Sequence, residues 1–379
     1  MRAPHRRSRL ISIAALALVG LVAACTPAAP GPIAPSAVPK AASQAGEPVR
    51  IGISAALTGP NAAVYAAAYE AVDVYFRRVN DQGGINGRKL ELLVEDDSGD
   101  ATKASANATR LIQQQKVPLL LVASVSATYG PVMSIARAAG TPLLIAGACP
   151  KEALPPADPL VFCATSYGTT YDSAAAIRFI KEVATEDVKL GLIGMDTPLS
   201  RAYMDSAEEY ASQNGMQAVT KQIMPLTTIH FTPYATQVAQ SGANWAFAGA
   251  PWGAEIGPFE ALQKIGWTGN YLLWAHQPAE EELRRRKSDT LYGLAGNTLF
   301  VEDLPIHQEI RATAERYKTT YPVEQLAEGW VVAMVLDEVI KSAGTGGPSE
   351  IQAALNRLDL DTQGLRGGRL TFTPENHYR

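Results

Sequence analysis

The chain reads as an α/β protein of two lobes, each a parallel sheet wrapped by helices. Three observations point there. Its 379 residues exceed the length over which a single hydrophobic core keeps growing. Short apolar runs alternate with stretches of helical period over residues 49–147, and the same rhythm returns over 171–275. The apolar fraction of 47% and charged fraction of 18% are those of a globular chain. A formal net charge of −4 provides no basic field, which argues against nucleic acid as a partner.

Residues 1–25 carry an address. Arg2, Arg6, Arg7 and Arg9 precede an apolar run, Leu10 to Ala24, that has the length of a signal-peptide core and falls short of a bilayer span. The run ends Leu21-Val22-Ala23-Ala24-Cys25, which resembles the bacterial lipobox. Lipidation of Cys25 is therefore expected, anchoring an exported protein to a membrane, facing the periplasm or the cell exterior. An ordinary secretory signal is the alternative. Residues 26–48 are rich in Pro, Ala and Ser with nothing to bury, so they form a tether, extending about 3.1 Å per residue where stiff.

Val49 to Ala56 is a short apolar run closed by Leu57-Thr58-Gly59-Pro60, a strand leading into a loop. From Asn61 to Asn80, Val64, Ala68, Val72, Phe76 and Val79 recur on one helical face. Gly83 to Asp97, GGINGRKLELLVEDD, then supplies a helix exit, an Asn-Gly turn and a strand. Helices follow over 101–115, 131–139, 171–185, 201–214, 234–241 and 255–265, and strands over 119–123, 142–147, 189–195, 218–224, 245–250 and 271–275. The chain crosses between lobes near 165–170. From Gly293 the pattern becomes a strand-like GLAGNTLFV, three helices without intervening strands, and a terminal strand in GGRLTF. Those helices cannot build a third parallel sheet, so they complete the first lobe. The expected division is 49–168 and 298–367 for lobe 1, and 169–297 and 368–379 for lobe 2, joined by a multi-crossing hinge. A ligand then belongs between the lobes, outside the carboxyl ends of the strands.

Catalytic chemistry is hard to find. No GxSxG, HExxH or Gly-rich phosphate loop is present, and the five histidines show no metal-ligand spacing. Asp96 and Asp97, adjacent on a strand, point to opposite faces and read as loop-ordering acids. Glu280-Glu281-Glu282 followed by Arg284-Arg285-Arg286 reads as a solvated helix start with local pairing. Cys149 and Cys163 each end an apolar strand-like run in an exported chain. A disulfide closing the short loop between them is expected to contribute roughly 3 kcal/mol, two buried thiols being the alternative.

LTGPNAAVY, VNDQGGINGRKLELLVEDDSGD, SVSATYGPV and GTPLLIAGAC together resemble the type I periplasmic binding proteins of the branched-chain amino-acid class, the solute-capturing components of ABC importers. The resemblance covers nearly all of the chain after the tether. It implies two Rossmann-like lobes, three hinge crossings, and a ligand enclosed as the lobes close. It further implies that Ser126, with Ala127 and Thr128, holds a ligand carboxylate, and that Gly147 and Ala148 present backbone groups. Cys149 stands where the family has a threonine. Trp252 lies two residues past the family's capping aromatic, and His276 stands near its acid. Leu199 replaces a tyrosine, while Tyr167, Tyr171 and Trp252 are placed to stack on a flat solute.

The function these residues imply is capture of a small carboxylate-bearing solute, an amino acid or a relative of one, without bond chemistry and without a cofactor or metal. The implied partners are the solute, ABC permease and ATPase subunits, and the membrane through the lipid anchor. A ligand-sensing module acting through a signalling partner is the alternative, since the same fold serves both.

Overall fold

The computed structural model describes residues 46–168, 170–250, 252–274, 279–344 and 346–378, without the side chains of 170, 252, 279 and 282. The expected leader, Cys25 and most of the tether lie outside the described residues.

The first lobe opens with β1 (Val49–Ala55), α1 (Ala62–Asp81), β2 (Leu90–Asp96), α2 (Ala101–Ala108), β3 (Leu120–Ala123), α3 (Tyr129–Ala139), β4 (Leu143–Ile145) and β5 (Val161–Cys163). The second contains α4 (Thr170–Val183), β6 (Lys189–Met195), α5 (Pro198–Gln213), β7 (Gln217–Met224), α6 (Thr232–Gln240), β8 (Trp245–Gly249), α7 (Trp252–Lys264), β9 (Asn270–Leu273), α8 (Ala279–Arg286) and β10 (Leu291–Gly293). Then come α9 (Pro305–Tyr317), α10 (Val323–Ala343), α11 (Pro348–Leu355), β11 (Asp359–Asp361) and β12 (Arg369–Thr371).

Both main sheets have five strands, ordered β2-β1-β3-β4-β5 and β10-β9-β8-β6-β7, with parallel pairing throughout. Read from each sheet's second strand, the two orders are the same. Central strands buried on both faces must be apolar along their whole length. Leu120–Ala123 and Trp245–Gly249 are fully buried runs of that kind. The Asn-Gly turn of the GGINGR segment is closed by reciprocal bonds, Ile85 N to Arg88 O at 2.8 Å and Arg88 N to Ile85 O at 2.9 Å. It delivers the chain from α1 straight into β2.

Helices α9 to α11 pack into the first lobe's core together with Leu365, Leu370 and Phe372. Helix α10 is buried almost all round, and its Trp330 meets Tyr75 of α1 edge to face at 5.0 Å. Two expectations change here. Of GLAGNTLFV only Gly293 is in a strand, as the last residue of β10, and a 3-10 turn occupies Phe300–Glu302. The residues between are drawn into the hinge: a Cβ on Gly296 would lie 1.8 Å from Ser166 Oγ, and Asn297 bonds sideways to Glu328. The GGRLTF strand, β12, pairs antiparallel with β11 and joins neither main sheet.

The chain end was expected with the second lobe. Instead Tyr378 bridges Cys163 of β5, and the Cys163 amide donates to His377 O at 3.0 Å. Among the described residues the chain therefore crosses between the sheets over 164–168 and 294–299, and the third implied crossing is not seen. Residues 362–366 touch the hinge and turn back into the first lobe.

At that hinge Glu328 of α10 is buried with Arg366, Oε2 lying 2.7 Å from Nη2, and both side chains are at most 3% exposed. Ser166 from one crossing donates its amide (3.2 Å) and its hydroxyl to the same carboxylate. Asn297 from the other crossing donates at 2.9 Å, and its Oδ1 accepts from Arg366 Nε at 2.9 Å. Helix α8 adds contacts between lobes, correcting its reading as a merely solvated start. Glu280 accepts from the amides of Phe300 (2.8 Å) and Val301 (3.1 Å), Arg284 reaches Glu324 at 3.4 Å, and Gln325 donates to Glu281 at 3.1 Å.

Removing one partner of a buried ion pair strands the other charge. Glu328→Ala should lower unfolding free energy by about 3–5 kcal/mol in denaturant melts; a loss below about 1 kcal/mol would contradict the knot's role.

His377 is fully buried, stacked on Phe162 at 3.9 Å, with ring nitrogens 2.9 Å from Val161 O and 2.9 Å from the Asn356 side-chain amide. Burial holds its ring below the usual histidine range, which the Val161 carbonyl and Asp158 only partly offset. Burial and Arg311 do the same to His307. Their contribution to stability is full above the unfolded value of about 6.5 and is lost as pH falls through the lower folded value. The melting temperature should fall between pH 7.5 and 5 through these two groups, and His377→Gln should flatten that limb; an unchanged limb would remove His377 as its source.

Candidate functional site

Strand order locates the site. In a sheet ordered 2-1-3-4-5 the loops leaving the first and third strands diverge, and the crevice between them is where ligands sit. Here those loops follow β1 and β3 in one lobe and β6 and β8 in the other.

The loop after β3 is set by an acid at the end of β2. Asp97, fully buried, accepts from Ser54 Oγ at the end of β1 (2.8 Å), from Ser124 Oγ after β3 (2.7 Å) and from the Gly99 amide (2.8 Å). Burial raises its carboxyl above the usual range despite these donors. Asp96 holds the loop after β1 through the amides of Leu57 (3.0 Å) and Thr58 (3.3 Å). Burial raises this carboxyl too, and Thr58, Ser98 and Leu57 outweigh it, leaving it below the ordinary range. Both acids order loops, and Ser126 is presented at the start of a 3-10 turn (Ser126–Thr128) running into α3.

From the other lobe, Thr197 caps α5 by accepting the Ser200 amide at 3.3 Å, and Pro198 occupies the first turn. The next amide, Leu199, is turned out of the helix and donates to Ser126 Oγ at 3.2 Å across the cleft. Around this contact the lobes enclose about 20 Å³, lined by Tyr65, Val125, Ser126 and Ala148 on one side and by Thr197, Leu199, Ser200 and Trp274 on the other. That is room for about one water.

The wall behind Ala148 is tightly built. Gly147 admits no side chain, since a Cβ would lie 2.4 Å from the Tyr129 hydroxyl and 2.7 Å from Ser124 O. Its carbonyl accepts Thr165 Oγ1 at 2.6 Å, and the Cys149 amide donates to Tyr167 O at 3.0 Å. Cys149 and Cys163 are joined by a disulfide, with Cα atoms 5.7 Å apart. The sulfur that stands where the family has a hydroxyl thus braces the loops after β4 and β5.

On the second lobe, Trp274 follows β9, packs on Tyr203 at 4.2 Å and meets Tyr167 edge to face at 5.7 Å. Its backbone is fixed by Glu255 of α7, a fully buried carboxyl that accepts the Trp274 amide and whose Oε2 has no hydrogen-bond partner among the described residues. Burial pushes the Glu255 carboxyl well above the usual carboxylate range, against the Trp274 amide that favours the charged form.

Of the residues implied by resemblance, Ser126 and Ala148 meet in the cleft. Ala127 packs on the first lobe's core, and the Thr128 hydroxyl is taken by Val125 O at 2.8 Å. Gly147 and Cys149 stand one layer back. Tyr167 is buried beneath Trp274, whereas Tyr171 is 59% exposed and lines a separate depression with Leu154, Pro155, Asn376 and Tyr378. The Trp252 side chain and His276 lie outside the described residues. Tyr65, Thr197, Ser200 and Trp274 escaped sequence reading. Trp274 had a signal, since it ends the run YLLWA at the carboxyl end of a strand.

Among the described residues no group of three His, Cys, Asp or Glu side chains is arranged to hold a metal, and no helix is long and apolar enough to cross a membrane. What the cleft offers is a hydroxyl and a helix-terminal amide facing each other between apolar walls. Such a pair suits an anionic head group.

A sequence profile of the periplasmic binding protein family matches residues 48–378. The chain is 21% identical to Leu/Ile/Val-binding protein homolog 8 of Brucella melitensis, over 86% of this chain and 85% of that protein. It shares its fold with a branched-chain amino-acid ABC transporter protein from Thermus thermophilus, solved with bound valine. That likeness has a TM-score of 0.78 at 17% identity, covering 88% of this chain and 91% of that one. A fatty acid ABC transporter substrate-binding protein from Thermomonospora curvata is similar with a TM-score of 0.73 at 16% identity, covering 87% of each chain.

Proposed function

The chain belongs to the periplasmic binding protein family, in its Leu/Ile/Val-binding class, and on that premise we propose that it is the extracytoplasmic solute-binding component of an ABC importer. In this reading it captures a small carboxylate-bearing solute by lobe closure, delivers it to permease and ATPase subunits, and is held at the membrane by lipid on Cys25. The observation that carries the reading is the Ser126 hydroxyl facing the Leu199 amide at 3.2 Å, one group from each lobe.

A carboxylate entering there takes a donor from each side and replaces their mutual bond. Its contacts are therefore complete only when the lobes are together, and differential affinity for the closed arrangement is the whole mechanism. Tyr65, Leu199 and Trp274 supply apolar surface for the rest of the molecule. Valine and a fatty acid, associated with two proteins of similar fold, share a carboxylate and an apolar body and little else. That common chemistry supports a carboxylate-bearing solute with an apolar body. With about 20 Å³ enclosed, entry requires the lobes to separate.

Thermal melts against aliphatic and aromatic amino acids, aromatic acids and short fatty acids should yield a stabilising member, worth about 2.7 kcal/mol at a hundredfold excess over Kd. Ser126→Ala should weaken that solute by about 1–3 kcal/mol with little change in the unliganded melt. A flat response across the panel, or equal affinity in Ser126→Ala, would defeat the reading.

A further inference from the structure

The lobes enclose a second space, about 300 Å³, beside the hinge and apart from the Ser126 cleft. Leu283 and Arg284 of α8 and Leu294 of the crossing wall one side, and Phe300, Glu324 and Ala327 wall the other. A volume of this order is at the lower end of small-molecule sites.

The chemistry of the lining is uneven. Its interior is apolar, through Leu283, Leu294, Phe300 and Ala327, while three carboxylates, Glu280, Glu324 and Glu328, face one guanidinium, Arg284. Two of the carboxylates are well supplied. Glu280 accepts two amides and Arg284 at 2.6 Å, and Glu328 is held in the hinge knot. Glu324, in the first turn of α10, is less well supplied: its side chain is 15% exposed, and beyond the helix terminus its side-chain partner among the described residues is Arg284 at 3.4 Å, a long contact for a charged pair. An under-compensated carboxylate at the edge of an apolar space is complementary to an organic cation with an apolar body.

We propose that this inter-lobe pocket is a second ligand site that takes a small primary ammonium compound, its ammonium on Glu324 and its apolar body against Leu283, Leu294 and Ala327. Because α8 belongs to one lobe and α10 to the other, a molecule seated there keeps its full set of contacts only while the lobes are closed. It therefore favours closure and tightens the Ser126 cleft for its solute, and by linkage the solute tightens the pocket for the ammonium compound. The proposal stands whether or not the cleft takes a carboxylate.

Calorimetric titration of the intact protein with 2-phenylethylammonium chloride tests it. Saturable binding is expected, weakened about tenfold or more by Glu324→Gln, which removes the charge at a partly exposed position. Leu294→Trp, which fills the space and leaves the charges in place, should weaken it comparably. Absence of saturable binding in the wild-type protein would overturn the proposal. So would binding that survives Glu324→Gln or Leu294→Trp, which would put the ammonium outside this pocket. Either pocket variant alone decides the matter if the other fails to fold.

Discussion

Everything the two lobes can do relative to each other depends on one buried carboxylate. Glu328 takes donors from both crossings and from Arg366, so the segments that must bend are tied at one point. A buried charge is tolerated only when paired and hydrogen-bonded, and its desolvation penalty would exceed its attraction without that company. The helix that carries it is itself rigid, packed through Trp330 against Tyr75 in the first lobe's core. The pivot is consequently built into one lobe, and the proposed closure would turn the other about it.

The side remote from the pivot is held differently. Across the Ser126 cleft one neutral hydrogen bond joins the lobes, worth about 0.5–1.5 kcal/mol net, beside apolar contacts such as Leu226 on the first lobe's core and Ala148 on the second's. Closer to the hinge, α8 adds Glu280 on the 3-10 turn at 300–302 and Arg284 near Glu324. Buried charged ties at the pivot and neutral contacts at the mouth are the distribution that the proposed closure requires, since a ligand worth a few kcal/mol in the closed arrangement then shifts the population. The same geometry accounts for the character of the cleft. Asp96, Asp97 and the Cys149–Cys163 bridge spend their polar groups on shaping loops, which leaves Ser126 and the Leu199 amide turned to the space between.

How much of this was legible depended on the range of each interaction. The alternating rhythm of strands and helices, the Asn-Gly turn before β2 and the adjacent acids Asp96 and Asp97 are local features, and local residue patterns carried them. Ser126 was reached through resemblance alone. Thr197 depends on how two sheets face each other, which no spacing in the chain reports, and for Trp274 the signal was its place at the carboxyl end of a strand, in YLLWA. Glu280 and Arg284 looked like a helix pairing with itself because i,i+4 pairing is visible in sequence, whereas their reach to Phe300 and Glu324 is tertiary. GLAGNTLFV looked like a strand because it is a short run rich in apolar residues and without helical period. The sideways commitment of Asn297 and the missing room at Gly296 decided otherwise.

The central claim is that the lobes open about a fixed pivot while each stays folded. Native-state hydrogen exchange at the Leu199 amide, the group that crosses the cleft, tests it without knowledge of the solute. Leu199 should exchange through an opening of lower free energy and smaller denaturant dependence than amides of the buried strands, such as Leu121 and Phe247. Exchange of Leu199 with the same free energy and denaturant slope as those core amides would mean that the cleft opens only when the whole protein unfolds, and would contradict the account.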